Sequence, residues 1–267
     1  KVAAPILISS SSQSSVSPKT EKSYIAVFCC FATKAVHLEV VSDLSTDGFI
    51  GALRRFWSRR GNCNTLYSDN ATNFVGGCNL LQDLYDRFEQ DQSKKRIYEE
   101  CSNRGIEFKF FPPRAPHFGG LWESAVKSAK ILLYKTISGA SLTYEELTTL
   151  VSEIEAVLNS RPLIPVSNDA NDLTALTPGH FLIGDQMTAI IDPDIQVRNI
   201  NLLQRWKLVT YIKQQFWTRW TKEYLGQLQQ RHKWLLTSPN PKPGLLVVIK
   251  EDNLPPTQWQ LGRIVKI

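Results

Sequence analysis

Three apolar runs rich in β-branched and aromatic residues crowd the first 41 positions, and they constrain the fold more than any other feature of the chain. Val2–Ile8 is the first and Tyr24–Phe31 (YIAVFCCF) the second. Ala35–Val41 (AVHLEVV) is the third, and it alternates with period two. Between the first two lies Ser9–Ser23, serine-rich and carrying Pro18, a composition that predicts a solvated loop. The chain therefore opens as a sheet.

Helical spacing takes over afterwards. Ser45 and Thr46 offer an N-cap to a helix with Phe49, Ile50, Leu53, Phe56 and Trp57 on one face, and Gly61 is placed to stop it. Leu66 and Tyr67 predict a short strand leading to Asp69. A polar helix is expected over Leu80–Cys101 and a strand over Ile106–Phe111. The Pro/Gly segment from Pro112 to Gly120 is a loop that runs into a helix carrying Leu121, Trp122, Ala125, Val126, Ala129, Leu132 and Leu133. Thr143 and Glu146 form a capping box for the next helix, with Leu147, Leu150, Val151, Ile154, Val157 and Leu158 inward. This succession predicts an α/β domain, a mixed sheet with helices on its faces.

Past Arg161-Pro162 the composition turns to Pro, Asn and Asp through Pro193. Leu202–Leu225 reads as a long amphipathic helix with Trp206, Val209, Phe216, Trp217 and Trp220 as its stripe and Gly226 just past its end. Leu245–Ile249 and Leu261–Val265 read as two strands of a small barrel that is left incomplete. The expected divisions are residues 1–165, 166–235 and 236–267.

A net charge of +6 and a pI near 9.0 lean towards a polyanionic partner. The five cysteines are odd in number, and no Cys-x-x-Cys or His-x-x-x-His pair supplies a zinc site. They read as free thiols of a reducing compartment, nucleus or cytoplasm. No apolar run reaches the length of a membrane span and no signal peptide is visible, so no membrane partner is expected. The chain begins with Lys and has its single methionine at Met187, which reads as a piece of something longer.

Two acids stand where metal-dependent phosphoryl-transfer chemistry would use them. Asp69 follows a short apolar strand and is followed by polar turn residues. Glu123 opens a helix after the Pro/Gly loop. Mg²⁺ prefers hard oxygen donors, and paired ions are held by carboxylates from different elements. Taken singly, Asp69 also suits a strand-end turn, and Glu123 a favourable acid at a positive helix end. His37 reads as structural, and Arg54, Arg55, Arg59 and Arg60 as a solvated face. Glu39, Asp43 and Asp47 lie near in sequence, with Asp47 better suited to capping the helix than to ligation.

Thr33–Glu39 (TKAVHLE), Ser68–Phe74 (SDNATNF), Pro112–Glu123, Leu158–Leu163 (LNSRPL) and the tail Lys250–Pro256 with Trp259 and Leu261–Ile264 resemble, in order, the integrase of BEL/Pao-type retrotransposons. The resemblance implies a ribonuclease H-like catalytic core over 1–165, a connector and amphipathic helix over 166–235, and part of an SH3-like domain over 236–267. It further implies DNA integration with Mg²⁺ or Mn²⁺, double-stranded DNA as partner and a homo-oligomer. Asp69 and Glu123 would be catalytic metal ligands. Lys127 and Lys130, on one helix face with Glu123, would hold DNA phosphates, with Asn70 and His117 as further DNA contacts.

The sequence departs from that family at its start. The family opens its first strand in a pattern like Asp-Tyr-x-Gly-Pro, whereas this chain reads Lys1-Val2-Ala3-Ala4-Pro5. Aligned on Pro5, the first carboxylate falls on Lys1, whose ammonium repels a divalent cation. The expectation is an enzyme with impaired catalysis, or a degenerate integrase that keeps nucleic-acid or protein binding without chemistry.

Overall fold

The structure is a computed structural model that describes residues 6–9, 20–68, 91–110, 131–137, 140–189, 191–195, 205–228, 240–251 and 254–267. These fall into two compact units. The first draws on Lys1–Cys29, His37–Ser124 and Ser141–Thr148, the second on Cys30–Val36, Ala125–Ala140 and Thr149–Ile267.

In the first unit, β1 (Ile6–Ser9), β2 (Thr20–Cys29) and β3 (Val36–Val41) form a sheet in that order. β1 runs antiparallel to β2, with Ile6 opposite Ser23 and Ser9 opposite Thr20. The polar residues Thr20–Ser23, expected in the loop, therefore belong to the strand: backbone pairing needs no apolar side chain. All six residues of β3 are buried, so its alternation does not divide a wet face from a dry one, and His37 and Glu39 lie inside.

Helix α1 (Thr46–Arg60) starts and stops where local chemistry demands. The Ser45 hydroxyl accepts the Gly48 N–H at 3.0 Å. Gly61, at φ 79°, donates its N–H to the Trp57 carbonyl at 2.8 Å, a left-handed turn that glycine enters without Cβ strain. β4 (Thr65–Ser68), α2 (Asp91–Ser102) and β5 (Glu107–Phe110) follow, and β4 pairs parallel with β5. Leu53 and Trp57 of α1, Ile97 and Cys101 of α2, and Ile106 and Phe108 form the core, with Leu66 packed against it. Ala52 joins Ala26 and Val41, bringing α1 against β2 and β3. Among the described residues the five strands make two sheets, β1-β2-β3 and β4-β5. At α3 (Tyr144–Asn159) the capping box is formed reciprocally. The Thr143 N–H donates to Glu146 Oε2 at 2.8 Å, and the Glu146 N–H to Thr143 Oγ1 at 3.3 Å.

The second unit is built on helices. Residues 131–137 are helical and bury Leu132, Leu133 and Ile137. The later part of α3 buries Leu150, Val151, Ile154, Val157 and Leu158, the inward set its spacing predicts. Within the Pro/Asn/Asp-rich connector lie a short antiparallel pair, β6 (Ile164–Pro165) with β7 (Ala175–Leu176), and the single turn α4 (His180–Ile183). Helix α5 (Arg205–Leu228) buries Val209, Phe216, Trp217 and Trp220 as expected. Trp206 is instead 56% exposed and stands outside the stripe. Gly226 lies inside the helix rather than past its end.

β8 (Leu246–Val248) and β9 (Leu261–Arg263) pair antiparallel. Between them in sequence, Trp259 packs edge-on against Trp217, Trp220 and Tyr224, and its Nε1 donates to Ser160 Oγ at 3.1 Å. Arg263 donates to three backbone carbonyls, those of Ser167, Asp172 and Gly244. No described helix is long and apolar enough to cross a membrane.

Candidate functional site

Every residue that the sequence nominates for chemistry or DNA contact lies outside the described residues: Lys1, Asp69, Asn70, His117, Glu123, Lys127 and Lys130. The structure describes the frame from which two of those segments depart. β4 and β5 pair in parallel with Thr65 opposite Glu107, Leu66 opposite Phe108, Tyr67 opposite Lys109 and Ser68 opposite Phe110. The described register runs as far as Ser68 opposite Phe110. Neighbouring strands lie about 4.8 Å apart, so the chain leaves towards Asp69 and towards the 111–123 segment from adjacent points. In α/β sheets, ligands collect in the crevice beyond carboxyl strand ends. The register follows from packing, because Leu66 and Phe108 both point into the core of α1 and α2.

The acids near α1 are already engaged. Glu39, 4% exposed, accepts from His37 Nε2 at 2.9 Å, Arg55 Nε at 2.6 Å and Arg59 at 3.0 Å. Burial alone would raise its pKa. The hydrogen bonds from His37 and Arg55, with the charges of Arg59 and Arg55, outweigh that and hold it below the ordinary value. Arg60 Nε reaches His37 Nδ1 at 3.4 Å. Asp43 accepts the Ser45 N–H at 2.8 Å, and its hydrogen bonds to Ser45 hold its carboxyl below the usual range. Asp47 pairs with Arg96, leaving the cap itself to Ser45. Arg54 grips Glu100 through two hydrogen bonds of 2.9 and 2.7 Å. The arginines of α1 are solvated as expected, with Arg54, Arg55 and Arg59 about half exposed, and they also pair with Glu100 and Glu39. A charged residue inside an apolar strand, Glu39, was the sequence signal that cations must face it. No group of three His, Cys, Asp or Glu side chains suited to a metal occurs among the described residues.

In the second unit, the Asn159-Ser160-Arg161 motif turns inward. Asn159 is fully buried, and its Oδ1 accepts the Val36 N–H at 2.8 Å while its Nδ2 donates to the Val36 carbonyl at 2.7 Å. Arg161 donates to the carbonyls of Leu158 and Lys34. The Asn159 carbonyl accepts the Gly179 N–H at 2.9 Å. A Cβ on Gly179 would lie 3.3 Å from that same oxygen and 2.7 Å from Met187 Cγ, so glycine is what permits the approach. These residues do structural work. Lys213, 4% exposed, donates to Asp192 at 2.6 Å and Glu153 at 3.0 Å. Burial opposes its charge, but the hydrogen bonds to those two acids prevail and raise its pKa.

Residues 204–267 match a family of unknown function (DUF5641). No curated protein matches the chain. A chain of the simian T-cell lymphotropic virus intasome in complex with PP2A regulatory subunit B56 gamma is 13% identical, with a TM-score of 0.41 over 73% of this chain and 58% of that one. This chain thus spans 58% of that protein's length. The catalytic core domain of BIV integrase is 20% identical, with a TM-score of 0.42 over 61% of this chain and 87% of that one. The HTLV-2 integrase catalytic core domain in complex with magnesium, in a trimeric form, is 13% identical, with a TM-score of 0.37 over 67% and 93%.

Proposed function

We propose that this chain is a BEL/Pao-type retroelement integrase core, ribonuclease H-like over 1–165, that binds double-stranded DNA and is impaired in integration at its first carboxylate position. The observation that carries the reading is the register of Ser68 with Phe110. It sets Ser68 and Phe110 side by side just before the two motif segments, Ser68–Phe74 and Pro112–Glu123, which supports convergence of Asp69 and Glu123 on one site.

A pair of Mg²⁺ or Mn²⁺ ions needs oxygen donors from three positions, and the donor set on offer is Asp69, Glu123 and Lys1. An ammonium has no lone pair to give and adds positive charge. Glu39, Asp43 and Asp47 offer no substitute, since each is committed to the arginine or backbone partners described above. The residues do not fit the ions. What remains to this chain is binding. Lys127 and Lys130 lie four and seven residues after Glu123, the spacing that a shared helix face would have, and are assigned to phosphates, with Asn70 and His117 as contacts to the same DNA. The missing donor favours a second reading, a degenerate integrase kept as a non-catalytic nucleic-acid- or protein-binding module.

The test is a strand-transfer assay with Mn²⁺ on the unaltered chain and on Lys1→Asp, alongside a DNA-binding titration over salt. The unaltered chain is expected to bind duplex DNA without transfer, and Lys1→Asp to gain activity. Each of Lys127→Gln and Lys130→Gln should lower the log–log salt slope by about 0.9. Transfer by the unaltered chain that Glu123→Gln abolishes would overturn the impairment. Failure to bind DNA would overturn the nucleic-acid reading.

A further inference from the structure

Helix α5 and the β8–β9 pair leave a cleft of about 50 Å³ between them. Trp217 and Trp259 line it, edge-on to one another with ring centroids 5.1 Å apart. Thr221 and Leu225 of the helix face Val248 and Leu254 across it. Voids larger than a water are few in a packed protein. The side chains that could fill this one are held elsewhere. Ile249 lies over Gly262, its Cδ1 2.8 Å from where a Cβ would stand, and Thr221 Oγ1 donates back to the Trp217 carbonyl at 2.9 Å.

One wall of the cleft is kept in a strained shape. Trp217 Nε1 donates to the Leu254 carbonyl at 2.7 Å, and the buried Thr257, three residues on, sits at φ 70°. A β-branched residue pays for that left-handed conformation, and such strain gathers where ligands are clamped. Size and charge then indicate the occupant. A benzene ring takes a cavity of about 150 Å³, so this cleft admits the end of an aliphatic side chain and excludes a nucleobase. Lys222 and Lys250 line it, both exposed and without an ion-pair partner among the described residues. Glu251 is the one acid among the described lining residues. The wider stretch carries the same sign: residues 204–267 hold eleven Lys and Arg against three Asp and Glu.

We propose that this cleft docks an acidic peptide segment of a partner protein. An aliphatic side chain of that segment seats against Trp217 and Trp259, and the carboxylates flanking it meet Lys222 and Lys250. The site stands apart from the DNA-binding reading above and does not depend on it.

The experiment selects a displayed library of random 12-residue peptides on the full chain. A fluorescein-labelled copy of the most enriched peptide is then titrated by anisotropy. The enriched peptides should carry an aliphatic residue flanked by Asp or Glu. Replacing that residue by Ala should weaken binding roughly 5- to 50-fold, the span for losing one buried aliphatic end. Thr221→Leu, which fills the cleft, should abolish binding, while Thr221→Ser, which leaves it open, should retain it. Lys222→Glu and Lys250→Glu should each weaken binding about 2- to 5-fold, and Glu251→Lys should tighten it. No enrichment, enriched peptides without acids, or binding that survives Thr221→Leu would overturn the docking site and leave the DNA-binding reading in place. Loss of DNA binding in the folded Thr221→Leu variant would overturn it too, by giving the cleft to nucleic acid. Dissociation of an oligomer by that variant would do the same, by giving the cleft to a second copy of this chain. Thermal melts guard against misfolding, and the two exposed lysine variants test the site even where Thr221→Leu does not fold.

Discussion

Asn159 satisfies both polar groups of the Val36 peptide at once, although the two residues are 123 positions apart in sequence. Its carboxamide mimics a strand neighbour, accepting at 2.8 Å and donating at 2.7 Å. Replacing it by Ala strands a buried N–H and a buried C=O, each costing about 1–3 kcal/mol. Asn159→Ala is therefore expected to lose roughly 2–6 kcal/mol in urea unfolding. Asn159→Asp should also destabilise, since a carboxylate keeps the acceptor and loses the donor. Unchanged midpoints in both variants would remove the clamp from the account.

Glu39 predicts an acid limb to stability. His37, Arg55 and Arg59 face its carboxylate, with Arg60 behind His37, and they hold its pKa below the ordinary 4.5. A depressed folded pKa contributes stability that is complete above the unfolded value. That contribution fades as pH falls below about 4.5 towards the folded pKa. Glu39→Gln should flatten this limb of the stability–pH curve. At neutral pH it should cost roughly 1–3 kcal/mol, at the lower end because Arg55 and Arg59 are half-exposed. Parallel curves for the two proteins between pH 3 and 5 would contradict it.

Lys213 predicts the opposite limb. Its folded pKa is raised above the ordinary 10.5 by Asp192 and Glu153 against the opposing effect of burial. A raised folded pKa contributes stability that is complete below the unfolded value and is lost as pH climbs through the folded one. Lys213→Met should therefore destabilise the chain at pH 7, where two acids lose their cation, and weaken the alkaline loss above about pH 10.5. Thermal melts from pH 8 to 12 read both effects. A variant as stable as the parent at pH 7 would show that the contacts of Lys213 with Asp192 and Glu153 contribute nothing.

Element ends were legible because their chemistry is local. Ser45, Gly61 and the Thr143–Glu146 pair each act within a few residues, and all sit where the sequence places them. The inward residues of α3 were legible for the same reason, since period counting reports which face is apolar. It does not report which chain segment a face will meet. Glu39 in β3 finding Arg55 and Arg59, and Asn159 finding Val36, are pairings that no short window contains. Gly226 misleads because a helix tolerates an interior glycine at a cost of about 1 kcal/mol, and α5 is anchored by Trp220 and Tyr224 just before it. Of the candidate site, the two strands leading to it are legible from Leu66-Tyr67 and Ile106–Phe111. The motif residues themselves came from resemblance.

The guanidinium of Arg263 joins β9 to the turn between β6 and β7 through the backbone oxygens of Ser167 and Asp172. The turn that presents those oxygens is shaped by its own side chains. Ser167 Oγ, Asp169 Oδ1 and Asp172 Oδ1 accept from backbone N–H groups two residues on, so its length and those acceptors both bear on the junction. Insertions or deletions between Ser167 and Asp172 should be tolerated across relatives only where the stretch around that arginine shifts in step, so the two should drift in size together.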